Sequence, residues 1–169
     1  MHHPGPITGN LSVLRQGSAV VAQLSNEQYA GHAPGKSSVG AQYRHVLDHY
    51  SSLLTGLENG LVDYDARVRD PKVETDRQEA VRQTARQLDA LARLSGARLG
   101  HPLQVRLASA PGQPDEAQPS SVGRELLFLL SHTVHHYAII RLLLEERGFQ
   151  CEEEFGVAPS TLAYQKVAG

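Results

Sequence analysis

The sequence predicts an all-α domain, an antiparallel four-helix bundle, and three observations predict it. Four stretches carry apolar residues at helical spacing, and Gly, Pro and Ser clusters separate them. The connections between them are of medium length, which suits helices folding back on one another. The chain of 169 residues reads as one domain, residues 1–169, large enough to bury a core without staples. Its bundle is expected over about 7–148, with 149–169 as a C-terminal extension.

The first helix is expected from about Ile7 to Leu24, where Ile7, Leu11, Leu14, Val20, Val21 and Leu24 recur at helical spacing despite Gly9 and Gly17. His32 to Ser38 is a loop ending in an N-cap, Ser37 or Ser38. Val39, Tyr43, Val46, Tyr50, Leu53, Leu54 and Leu57 then give a long second helix that closes near Asn59 and Gly60. Val62 to Pro71 mixes charge and Tyr; it is too polar for a core strand and reads as an ordered connection. A third helix spans Glu74 to Leu94, with Val81, Ala85, Leu88, Leu91 and Leu94 as its stripe and its charges as a solvated face. Period-two alternation from Pro102 to Ala108 predicts a small strand or hairpin near residues 102–108, followed by a loop from Pro111 to Pro119. Ser120 or Ser121 caps the fourth helix, which runs to about Arg147 and stops at Gly148.

Composition excludes several functions. Cys151 is the only cysteine, so neither a disulfide nor a thiolate-rich zinc site can form, and a reducing, cytoplasmic setting is expected. A net charge of −2 gives no basic footprint, and 5% aromatics with no Trp give no stacking platform, so nucleic acid is not an expected partner. The start, Met-His-His-Pro-Gly-Pro, lacks a secretory pattern, and no stretch is expected to reach the ~18 apolar residues of a membrane span, so no membrane partner is expected.

The chemistry lies on the fourth helix. His132 and His136 are one turn apart inside an apolar run, so their side chains share a face. Ser121 and Glu125 fall roughly on the same stripe. Buried polar groups left unpaired cost roughly 1–3 kcal/mol each, so this stripe must find partners. Metal ligation satisfies it. A candidate third ligand lies in Tyr43-Arg-His45-Val-Leu-Asp-His49, where His45 comes first; His49 can replace it, act beside it as acid or base, or pack passively. Three neutral imidazoles hold a divalent transition metal, with Zn favoured and Ni or Fe compatible, and leave one position open. Glu125 stands about 10 Å from His132 along the axis, too far for a two-His, one-carboxylate iron site. His135 is expected at the rim, and His2, His3, His32 and His101 at the surface.

Ser38-Val-Gly-Ala-Gln-Tyr-Arg-His45-Val and His132-Thr-Val-His-His136-Tyr resemble the second-helix and distal His-x-x-x-His patterns of the DinB/YfiT-like superfamily. The usual Arg-Gly-Gln-like continuation is here Tyr137-Ala138-Ile139, which removes the Arg available for substrate contact. The resemblance runs from the first helix to about Gly148. It implies a four-helix bundle, commonly a homodimer, with a metal on His45, His132 and His136. It also implies a small-molecule chemistry of the kind seen among thiol-dependent S-transferases and hydrolase-like enzymes, although a shared fold does not transfer a reaction.

An ion at such a site would acidify water or hold a low-molecular-weight thiol as thiolate. Either route needs a proton carrier, for which His49 and Glu125 are the candidates. Tyr43, Tyr50 and Ser121 are candidate substrate contacts, and Arg67 and Arg69 in the connection could clamp a carboxylate bidentately. For these two arginines the alternative is a surface loop tied by local salt bridges, and for the protein as a whole it is a non-catalytic metal-binding dimer, a structural or interaction module.

Overall fold

The computed structural model describes residues 3, 5–110 and 116–168. In chain order these form α1 (Gly5–Gln23), α2 (Asn26–Ala30), α3 (Val39–Asn59), β1 (Leu61–Asp63), α4 (Pro71–Thr75), α5 (Arg77–Ala92), a 3-10 turn (Gly96–Arg98), β2 (Pro102–Arg106), β3 (Gln118–Ser121), α6 (Val122–Glu145) and α7 (Pro159–Ala168).

The long helices α1, α3, α5 and α6 make the expected bundle. On the α3–α6 seam, Gln42 meets His136 and Tyr50 meets Thr133, so these two neighbours run antiparallel. Tyr43 meets Thr84 while Gln87 reaches the Leu47 carbonyl, so α3 and α5 run parallel. Asn10 reaches the Leu126 carbonyl and Gly17 lies against Tyr137, so α1 and α6 are parallel as well. This order requires one long crossover from α3 to α5. Residues 60–76 supply it, returning the chain along the bundle through β1 and α4.

Local signals explain most boundaries. Of the two expected caps, Ser38 is the one used: its hydroxyl accepts from Ala41 N at 2.9 Å, and α3 ends at Gly60, whose φ of 75° only glycine adopts freely. Likewise Ser121, not Ser120, caps α6. The expected third helix from Glu74 to Leu94 is broken at Asp76, whose extended backbone (φ −118°) lets its carboxylate cap α5 at Gln78 N. Its first part joins α4, opened by Asp70 and Pro71. Helix α2 was absent from the sequence expectations although Ser25 and Gln28 make a reciprocal capping box there.

Val62 was expected in a connection too polar for a core strand, and the structure corrects this. Leu61–Asp63 pairs in parallel with β2, Val62 opposite Val105, and Val62 is fully buried. Gly56 makes room: a Cβ there would stand 2.6 Å from the Val62 side chain. The strand expected near 102–108 is β2, which also pairs antiparallel with β3, Leu103 opposite Ser120. The part of the expected loop at 111–115 lies outside the described residues, as does His2.

The core holds five fully buried tyrosines, Tyr29, Tyr43, Tyr50, Tyr64 and Tyr137, among aliphatic side chains of α1, α3, α5 and α6. Helix α6 differs from expectation in one respect. Its most apolar 18 residues have a mean hydropathy of 1.3, enough by length and composition to cross a membrane. In the fold it lies against both α1 and α3 and carries the histidine pair.

Candidate metal centre

His45 projects from α3, and His132 and His136 from α6, at the antiparallel seam of the two helices. One ligand nitrogen from each lies within 4.8 Å of the other two. Imidazoles around a tetrahedral ion with bonds of about 2.0–2.1 Å have nitrogens roughly 3.4 Å apart, so the cluster closes on an ion by small side-chain rotations. Ring centroids stand 5.1 Å apart for His45–His132 and 4.5 Å for both His45–His136 and His132–His136.

Two observations fit these residues to a metal. His132 Nε2 is buried and has no hydrogen-bond partner among the described residues, an acceptor that an ion can satisfy. His136 Nδ1 donates to Gln42 Oε1 at 2.6 Å, which leaves the Nε2 lone pair free. Gln42 is itself oriented by its amide nitrogen donating to Ser37 Oγ at 2.9 Å. Such a partner on the far ring nitrogen is the usual way to fix a ligating histidine. Burial, reinforced by the neighbouring imidazoles, lowers His45 to about 3 and both His132 and His136 to about 4. All three are therefore neutral at physiological pH, the form that ligates.

His49 packs beside them, its ring 4.2 Å from His132 and 4.5 Å from His45. Both its nitrogens are occupied: Nδ1 donates to the His45 carbonyl at 2.8 Å, and Nε2 accepts from Arg67 Nη1 at 2.9 Å. Burial lowers it to about 4 despite the carbonyl bond, and the Arg67 charge adds to the lowering. The alternatives left by the sequence thus separate here: the convergent set contains His45, and His49 is tied by its neighbours.

Glu125 is fully buried and accepts from Tyr64 Oη at 2.8 Å, Ser120 Oγ at 2.5 Å and Arg124 Nη1 at 2.9 Å. It meets the histidines through Tyr64, whose ring stacks on His49 at 5.3 Å. The bond to Glu125 joins burial in raising the Tyr64 hydroxyl, so Tyr64 stays protonated. Phe128 stacks on His132 at 5.5 Å and walls that side.

The other candidates are spread out. Tyr43 and Tyr50 spend their hydroxyls inside the bundle, on Thr84 at 2.9 Å and on Asn10 Oδ1 at 2.6 Å. Ser121 is occupied as the α6 cap. Arg69 is exposed at a φ of 52°, and Arg67 alone of the two arginines reaches the histidines. His32, His101 and His135 are exposed as expected, whereas His3 is half-buried. Cys151 is half-buried, and burial pushes its thiol up, away from thiolate chemistry. Sequence reasoning missed Gln42, Tyr64 and Phe128. Gln42 was within reach of it, being three residues before His45 and so on the same helix face.

Arg67 also lines a cleft of about 410 Å³ beside α3, together with Asp48, Ser51, Ser52, Asp70 and Gln83. Its Nε is buried and has no partner among the described residues.

Comparison with known proteins agrees with this fold. A DinB-like protein, YjoA, from Bacillus subtilis has a crystal structure that superposes with a TM-score of 0.63 at 16% identity, over 87% of this chain and 94% of that one. An FK506-binding protein 5 from Rhizopus delemar is 33% identical over 107 residues, which make up 63% of this chain and 28% of that much longer protein. A sequence model of the DinB superfamily matches residues 14–140, which include all three histidines, and the chain belongs to that superfamily.

Proposed function

We propose that this protein binds one divalent transition metal, with Zn the first candidate and Ni or Fe compatible, through His45, His132 and His136, and uses it on a small molecule. The observation that carries the proposal is the buried, unpartnered Nε2 of His132 facing a cluster whose nitrogens lie within 4.8 Å of one another. An ion there supplies Lewis acidity toward a water or a low-molecular-weight thiol, the chemistry of a hydrolase or a thiol-dependent S-transferase. Gln42 keeps His136 turned with its free nitrogen inward. Arg67, which lines the 410 Å³ cleft, is the group that would hold an anionic part of the substrate. An acid/base role for His49 requires Arg67 to leave its Nε2, and one for Glu125 requires release of its three donors. The proposal rests on the ligand set and not on those two.

A second reading, a non-catalytic metal-binding module that works as a homodimer, is favoured by Leu127 and Leu142, which leave α6 55% and 63% exposed. Both readings place the unpaired Cys151 in a reducing compartment, the cytoplasm.

Elemental analysis of protein purified without affinity tag or chelator tests the metal. About one ion per chain in the parent, lost in His132→Ala and in His136→Ala, is expected of a three-His site. A metal-free parent that folds as well as both variants would overturn it.

A further inference from the structure

Four imidazoles crowd this seam, yet only three present free nitrogens to one another. We infer that Arg67 keeps the fourth, His49, off the metal, and so holds the coordination position open. This rests on the metal reading above.

The geometry carries it in three steps. The His49 ring is as close to two members of the cluster as those members are to each other, 4.2 Å from His132 and 4.5 Å from His45. Its Nδ1–H is fixed on the His45 carbonyl at 2.8 Å, so the lone pair must sit on Nε2, the nitrogen suited to ligation. That lone pair accepts from Arg67 Nη1 at 2.9 Å. A lone pair cannot accept a proton and bind an ion together. A site with four histidine ligands would be closed, as structural zinc sites are, whereas three ligands leave room for a reacting molecule.

Arg67 arrives from the crossover between β1 and α4, 18 residues from His49, so the block does not come from either ligand helix. Its guanidinium keeps its charge across the physiological range, so the donor is never lost to deprotonation. Arg67 is therefore a positioning residue: it acts on the metal through His49.

Cobalt(II) titration of the parent, Arg67→Met and Arg67→Met/His49→Gln, read by visible absorption with and without added azide, tests the assignment. The parent spectrum should change with azide, which takes the open position. Arg67→Met should bind cobalt on the order of tenfold more tightly or better, and its spectrum should ignore azide. The double variant should recover the azide response. Removing a nearby positive charge also tightens cobalt and weakens azide by Coulomb attraction alone, but that effect survives loss of His49. An azide-blind spectrum in both variants would thus overturn the inference, as would an Arg67→Met protein indistinguishable from the parent. A parent that takes up no cobalt would overturn the metal reading itself, and this inference with it.

Discussion

Gln42 accepts a 2.6 Å hydrogen bond from His136 Nδ1 across the α3–α6 seam, three residues before His45 on the same helix. One side chain of α3 thus sets the tautomer of His136 on α6, while another, one turn on, provides the third imidazole of the cluster. Gln42→Leu should lower metal affinity by about 10–100-fold with the fold intact, because His136 loses its orienting acceptor. Gln42→Glu, which keeps the acceptor, should retain most of it. Competition titration against a chelating dye measures both, and equal affinity in the parent and the Leu variant would count against the role.

The buried histidines make metal-free stability depend on pH. Unfolded histidine takes its proton near 6.5, whereas burial holds His49, His132 and His136 neutral down to about 4 and His45 to about 3. Between those values the unfolded chain binds more protons, so stability is greatest above pH 6.5 and falls as pH drops toward 4. Urea midpoints of metal-free protein should be level from pH 7 to 8 and decline below 6.5. His45→Gln/His132→Gln should decline less steeply, and parallel curves for the two proteins would refute the assignment.

Gly17 allows α1 to rest on Tyr137 and Tyr43. A Cβ at Gly17 would overlap the Tyr137 hydroxyl and stand 2.8 Å from the Tyr43 ring, both of which are fully buried and unable to retreat. Gly17→Ala should therefore destabilise the protein by about 1–3 kcal/mol, although Ala is the better helix former. Chemical denaturation checks the sign. A stabilised variant would mean that α1 can move.

Glu125 serves the fold before the metal. Its removal strands the buried Tyr64 hydroxyl and takes the acceptor from the half-buried Ser120, so Glu125→Ala should cost about 3 kcal/mol of stability. Metal content should be unchanged, since Glu125 touches none of the three ligands. Loss of metal from a still-folded Glu125→Ala protein, measured by elemental analysis, would show instead that the carboxylate reaches the site.

What the sequence determined was local. The bounds of α3 follow from Ser38 and Gly60, and the pairing of His132 with His136 follows from the helical repeat alone, because caps and faces depend on residues no more than four apart. The four-helix architecture was legible for the same reason. What only the tertiary structure decided were the relations between residues distant in the chain. His45 and His49 share one helix face and are equivalent by periodicity; packing separates them, since a His45 nitrogen converges with those of His132 and His136 while His49 pairs with Arg67 from the crossover. Tyr64 claims Glu125 from 61 residues away, and Val62 is a strand because β2, more than 40 residues on, supplies its partner. A strand's hydrogen bonds and a carboxylate's donors lie on other segments, so no local pattern records them.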